Sequence, residues 1–288
     1  MLERDDYPPG VPCWVDTTQP DPEAAVRFYG ELFGWEFEDR VPADAPGSYF
    51  IAELPGRAVA AISSAPDAAP PTAVWNTYIG VDSADDTVAT VKDAGGSALT
   101  EPFDVADAGR MAVLADPSGA VFCVWQAKRR KGAQLVNEPG TWNWSDLNTR
   151  DPEGSEAFYG AVFGWETSRV DLGEGGDYTM WRLPGYGDFL ERSEPGLRRR
   201  QAAQGAPEGF EDAIAWLLPM TNGQSPDDVP PHWSVTFAVA DTDAIADRAA
   251  QLGGTITVPP FDAGVVRVAV LSDSQGAVFS VNTFTPSG

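Results

Sequence analysis

Metal-binding and redox side chains are what this 288-residue chain has least of: one histidine and two cysteines, Cys13 and Cys123. Two thiols make neither a disulfide framework nor a zinc site, and a single imidazole rules out a two-histidine centre within one chain. No apolar run approaches the length of a membrane span. The acidic opening "MLERDDYPPG" contains no hydrophobic signal core, so a cytoplasmic protein with free thiols is expected. Positive charge is also scarce. Lys and Arg number 19 against 43 Asp and Glu, a net charge of −24. A field of that sign repels phosphates, which argues against nucleic acid and anionic membrane as partners. The basic run "KRRK" at 128–131 reads as a solvated linker between halves. The phosphate loop GxxxxGK[ST] and the nucleophile elbow GxSxG are both absent, and "LGEGG" at 172–176 reads as a turn.

What the chain does have is repetition. "CWVDTTQPDPEAAVRFYGELFGWE" at 13–36 returns as "NWSDLNTRDPEGSEAFYGAVFGWE" at 143–166, a constant offset of 130 residues. A second block at 95–124, "GGSALTEPFDVADAGRMAVLADPSGAVFCV", is answered at 253–281 by "GGTITVPPFDAGVVRVAVLSDSQGAVFSV". The chain is thus a tandem duplication with its seam near 127–140, giving domains at 1–130 and 131–288. The second carries an insertion near 191–220.

Each half reads as two similar units. Residues 11–18 alternate as a strand does, Asp21 suits a helix N-cap, and Pro22 suits the first helical position. Val26, Tyr29, Leu32 and Phe33 then recur at helical spacing until Gly34. Three short strand-like runs follow, and after the "APDAAPPT" linker the same order recurs from "VWNTYIGV" onward. The pattern is βαβββ, four times in the chain.

A βαβββ unit with "FY…LFGW" on its helix and "DPSGAVF" before its last strand resembles the vicinal oxygen chelate superfamily. That group holds glyoxalase I, the extradiol dioxygenases and the bleomycin-resistance proteins. The match is similar in detail to tandem-domain actinobacterial glyoxalase-like proteins, often described as hydroxylases. The resemblance implies an α+β fold with two cupped eight-stranded sheets, each curled round a cavity. It also implies metal ligands on the first and last strands of the units. Those positions fall at Trp14, Asn76 and Cys123 in the first half and at Trp144, Ser234 and Ser280 in the second. The fourth falls near Ala60 and Phe189. Tryptophan cannot chelate, and Asn or Ser is a poor ligand for iron, nickel or zinc, so no metal and no cofactor is expected.

Strand alternation extends each face. Trp14 and Asp16 share one with Asn76, Tyr78, Cys123 and Trp125. Trp142, Trp144, Asp146 and Asn148 share the other with His232, Ser234 and Ser280. Aromatic walls with a few convergent polar groups suit a small ligand, although tryptophans of this kind also simply fill barrels. Asp16 and Asp146 are either acid–base groups with pKa values raised by burial or structural carboxylates paired with backbone amides or with Arg110 and Arg267. His232 is either a proton shuttle or a solvated residue at a strand start. Cys123 is a nucleophile or, with no basic partner evident, an inert thiol. The insertion, with Arg198–Arg200, is either a lid drawing an anionic ligand or a packing elaboration.

The expectation is a metal-independent protein that sequesters an aromatic or polyketide-like molecule, acting as a monomer whose two halves pair within the chain. The alternatives are a metal-free isomerase, cyclase, lyase or hydroxylase, and an interaction protein with filled cavities.

Overall fold

One proline and one glycine, each repeated at the 130-residue offset, fix where the first helix of each half starts and stops. Asp21 and Asp151 accept hydrogen bonds from the amides of Ala24 (2.9 Å) and Gly154 (3.0 Å), capping helices that open on Pro22 and Pro152. Gly34 and Gly164 close them in the left-handed conformation, with φ of 74° and 71°.

A computed structural model describes residues 2–42, 45–65, 72–171, 177–220 and 228–285; segment 66–71 of the first linker and the "LGEGG" stretch lie outside the described residues. The first half runs β1 (Leu2–Glu3), β2 (Pro12–Gln19), α1 (Pro22–Phe33), β3 (Glu36–Asp39), β4 (Tyr49–Leu54), β5 (Arg57–Ser64), β6 (Val74–Gly80), α2 (Ala84–Asp93), β7 (Ser97–Ala98), β8 (Phe103–Val105), β9 (Gly109–Ala115) and β10 (Val121–Ala127). After β11 (Leu135–Val136), the second half runs β12 (Thr141–Thr149), α3 (Pro152–Phe163), β13 (Glu166–Asp171), β14 (Asp177–Arg182), α4 (Tyr186–Ser193), α5 (Leu197–Ala203), a 3₁₀ turn at Phe210–Asp212, β15 (Ala213–Pro219), β16 (His232–Ala238), α6 (Thr242–Gln251), β17 (Thr255–Ala263), β18 (Val266–Ser272) and β19 (Val278–Phe284). One sheet is ordered β3-β4-β5-β2-β6-β10-β9-β7 with β8 beside β9, and the other β13-β14-β15-β12-β16-β19-β18-β17. In both, the first strands of the two units pair antiparallel at the centre, β2 with β6 and β12 with β16. This is the expected α+β tandem fold.

The repeated "FY…FGW" motif joins the halves to each other. Tyr29 on α1 donates to Asp273 of the other half (3.0 Å), and its counterpart Tyr159 on α3 donates to Asp116 (3.2 Å). The Trp35 indole donates to the Gly140 carbonyl and that of Trp165 to the Gly10 carbonyl, both at 2.7 Å. Each half therefore lays its leading helix against the second unit of the other. The double glycines allow the close approach. A Cβ at Gly254 would lie 2.5 Å from the Ser272 carbonyl oxygen and 3.1 Å from the Phe28 ring across the interface. Gly254→Ala is expected to cost about 1–3 kcal/mol, read as a lower urea midpoint with an unchanged slope.

Between β4 and β5 the first half needs only Pro55 and Gly56, whereas the second inserts α4, α5 and the 3₁₀ turn between β14 and β15. The extra residues thus run from 183 to 212, earlier than the expected 191–220. The apolar run "AIAWLLP" at 213–219 is strand β15, parallel to β12. A short apolar run does not by its periodicity choose between helix and strand; here sheet pairing decides.

Candidate functional site

The same aspartate position sits at the centre of both cups, in very different surroundings. Asp16 on β2 is 2% exposed and fully engaged. It accepts from the hydroxyls of Tyr78 (2.7 Å) and Tyr49 (3.1 Å) and from the Asn76 amide (2.9 Å). The Trp14 indole donates to the Tyr49 hydroxyl at 3.0 Å. Burial pushes the Asp16 carboxyl up, and those three donors pull it back in part. Trp125, its indole bonded to the Arg130 carbonyl (2.8 Å), lies so close over Gly109 that a Cβ there would collide with the ring. With Trp14, Tyr78, Cys123 and Trp125 all buried, the first cup is filled by its own side chains. Burial raises the Cys123 thiol far above its ordinary range, which makes it an inert packing group.

In the second cup the strand registers put Thr236 where Tyr78 stands, Ser280 where Cys123 stands and Asn282 where Trp125 stands. Two bulky plugs, Tyr78 and Trp125, become small polar residues, and a thiol becomes a hydroxyl of similar size. Asp146, 8% exposed, accepts one side-chain hydrogen bond, from the Thr236 hydroxyl at 3.3 Å. Its Oδ1 has no partner. Burial raises the carboxyl to about 7, which the Thr236 hydroxyl and the Trp216 backbone offset only in part. Trp216 on β15 occupies the register position of Ala61. With Trp144 (ring centroids 6.3 Å apart) and Phe210 (5.9 Å from Trp144) it forms an aromatic wall beside the acid.

Beyond Trp144 lies a cavity of about 470 Å³ between the N-terminal segment, the start of β12 and the inserted helices. Trp144, Asn143, Phe210 and Phe284 line its cup side. Asp146 follows two residues along β12, roughly 7 Å deeper.

Several expected placements are corrected. The register slips between Trp142 and Trp144, so that Trp142 faces Phe237 while Trp144 faces Thr236. That bulge turns Trp142 to the opposite sheet face, where its indole donates to Ser145 (3.2 Å). Phe189 is on α4, stacked on Tyr186, and on no cup strand. Arg110 and Arg267 pair with Asp85 and Asp243 in the first turns of α2 and α6, and neither reaches Asp16 or Asp146. His232 stands opposite Asn148, further along β12 from Trp144 than Asp146 is, with Nδ1 2.9 Å from the Pro230 carbonyl oxygen. Asn148 donates to Ser234 (3.0 Å) beside the acid. Tyr49, Trp216 and Phe210 escaped the sequence reading; alternation in "SYFIAEL" and "AIAWLLP" is the signal for the first two.

The donor set does not fit the metal that the fold family implies. Around Asp146 stand hydroxyls, an amide and indoles, and no cluster of three His, Cys, Asp or Glu exists among the described residues.

A family model for the Glyoxalase/Bleomycin resistance protein/Dioxygenase superfamily matches residues 14–124, and one for a glyoxalase-like domain matches 145–282. A Mycobacterium tuberculosis protein named "Putative glyoxylase CFP32" is 40% identical, covering 98% of this chain and 97% of its own. The anthracycline biosynthesis protein DnrV of Streptomyces peucetius is 33% identical, over 96% and 94%. The Mn(II)-bound glyoxalase from Novosphingobium aromaticivorans superposes with a TM-score of 0.58 at 17% identity, over 98% of this chain and 83% of that one. The 2,3-dioxygenase LapB from Pseudomonas sp. KL28 gives 0.58 at 13%, over 96% and 93%.

Proposed function

The chain belongs to the glyoxalase/bleomycin resistance protein/dioxygenase superfamily, and from that premise we propose that its second cup binds a polycyclic aromatic ketone and moves a proton on it without a metal. The observation that carries this reading is the unpartnered Oδ1 of Asp146, a buried carboxylate titrating near neutrality beside two indoles. A pKa matched to the working pH is what acid–base catalysis asks of its group. The kinship with an anthracycline biosynthesis protein supports an aromatic polyketide as the class of ligand.

One carboxylate with no second acid nearby suits chemistry in which the same group takes a proton and returns it. Asp146 would accept the proton from a carbon next to the ligand carbonyl, leaving an enolate. After exchange with solvent the carboxyl would deliver a proton to another atom of the same molecule, an isomerisation that conserves mass in H2O and takes up deuterium in D2O. Trp144 and Trp216 would hold the ring system by stacking. Ser280 would donate to its oxygens, while the Thr236 hydroxyl stays on Asp146. The first cup, its acid already occupied by three donors, is scaffold. The halves pair within one chain, and the working unit is the monomer.

Incubation with tetracyclic aromatic ketones in D2O, followed by mass spectrometry and chromatography of the recovered compound, tests the reading. Deuterium incorporation with altered mobility is the expected result. Because the free protein must begin with Asp146 ionised, kcat/KM should fall as pH drops below about 7. A compound bound tightly and returned unlabelled would instead make this a sequestering protein, a role for which the aromatic wall alone suffices.

A further inference from the structure

The cavity outside Trp144 has a second, charged end that the acid–base reading does not use. Arg4, from the N-terminal segment, is 8% exposed and lines the cavity. Its Nη2 lies 3.1 Å from Glu194 at the end of α4, while its Nη1 has no partner. Arg200 on α5 reaches the other oxygen of Glu194 at 3.6 Å. Arg4 and Glu194 thus form a buried ion pair at this end of the cavity, with the half-exposed Arg200 on the second oxygen of Glu194, and Glu211 lines the cavity as well. The orphaned groups continue along the wall. The side-chain carbonyl oxygens of Gln201 on α5 and Asn143 on β12 are both buried without a partner.

Buried polar groups without partners carry a desolvation cost that a matching ligand removes. Glu194 Oε1, although within ion-pair distance of Arg4, accepts no hydrogen bond either; the unpaired Arg4 donor and the two unpaired amide oxygens define that ligand by complement. We infer that the cavity takes an aromatic hydroxy acid, its carboxylate on Arg4 Nη1, its hydroxyls donating to Gln201 and Asn143, and its rings directed toward Trp144 and Phe210. Guanidinium–carboxylate pairing is strong and directional where water is excluded. The inserted helices are then the specificity element of this half, since α4 and α5 supply Glu194, Arg200 and Gln201. The first half has no counterpart, because only Pro55 and Gly56 occupy the corresponding place.

This inference rests on the reading that the second cup binds aromatic rings, and the test separates the two. Anthraquinone-2-carboxylate and its methyl ester serve as probes, titrated against the full-length protein by tryptophan fluorescence quenching and calorimetry. The acid is expected to bind at least about tenfold more tightly than the ester, the scale of a charge-assisted hydrogen bond. Arg4→Met should abolish that preference while leaving ester binding within about twofold. Arg4 is buried, so a second variant guards against misfolding. Glu194→Gln is isosteric, removes the competing anion and should tighten acid binding several-fold, with circular dichroism checking that each variant is folded. Equal affinity for acid and ester in the parent protein, or a preference unchanged in both variants, overturns the acid-recognition inference alone. Failure of both probes to bind overturns it together with the aromatic-ligand reading.

Discussion

Asp146→Asn is expected to lose about 10²–10⁴ of the parent's turnover and yet to be the more stable protein at pH 8. Burial raises this carboxyl from the ordinary aspartate value of 3.8 to about 7. Between those pH values the folded chain holds a proton that the unfolded chain has released. Stability therefore falls as pH rises through this window, because the native state binds more protons than the unfolded one. Above about pH 7 the buried charge costs on the order of 4 kcal/mol, the free-energy equivalent of that displacement. An amide has no such titration. The difference in unfolding free energy between variant and parent should be near zero at pH 4, grow between pH 4 and 7, and level off above. Urea unfolding across pH measures it directly. A difference independent of pH would show that Asp146 titrates normally. Activity bought at the expense of stability is characteristic of a working group, and Asp16, satisfied by three donors, should show much less of it.

The second large effect concerns the seam between the halves. Asp273 is buried and accepts from Tyr29 (3.0 Å), Gln19 (2.7 Å) and the backbone amides of Gln275 (2.8 Å) and Ala277 (2.9 Å). Its removal leaves four donors without their acceptor, two of which, Tyr29 and Gln19, reach it from the other half of the chain. Asp273→Ala is expected to cost roughly 3–5 kcal/mol, the range for breaking a buried charged network on one side. Thermal and urea unfolding should both register it. Tyr29→Phe removes a single hydroxyl and should cost about 1 kcal/mol. A loss of similar small size in both variants would mean that the network is not what joins the halves.

The fold was legible because it was written twice. Asp21, Pro22 and Gly34 carry local capping chemistry, and their repetition at Asp151, Pro152 and Gly164 made the reading redundant. The site was less legible for three physical reasons. Strand alternation assumes an unbroken register, and the bulge before Trp144 breaks it, sending Trp142 to the wrong face. Phe189 lies in an insertion that has no counterpart in the first half, where only Pro55 and Gly56 occupy that place, so the repeat carries no register for it. Asp16 and Asp146 look equivalent in sequence. Their difference lies in what neighbouring strands bring to them, Tyr78 donating to one and Thr236 to the other, with Ala61 opposite the first and Trp216 opposite the second, which is information carried by partner strands.

The reciprocal seating of α1 and α3 has a consequence for how such a pair of cups can diverge. In a dimer of identical copies, any substitution that plugs one cup plugs both. Fusion into one chain removes that symmetry while keeping the same contacts, because each helix still lies against the opposite half. One copy is then free to accumulate Tyr49, Tyr78 and Trp125 and become rigid ballast, and the other can take on thirty residues of new lining without the penalty of duplicating them.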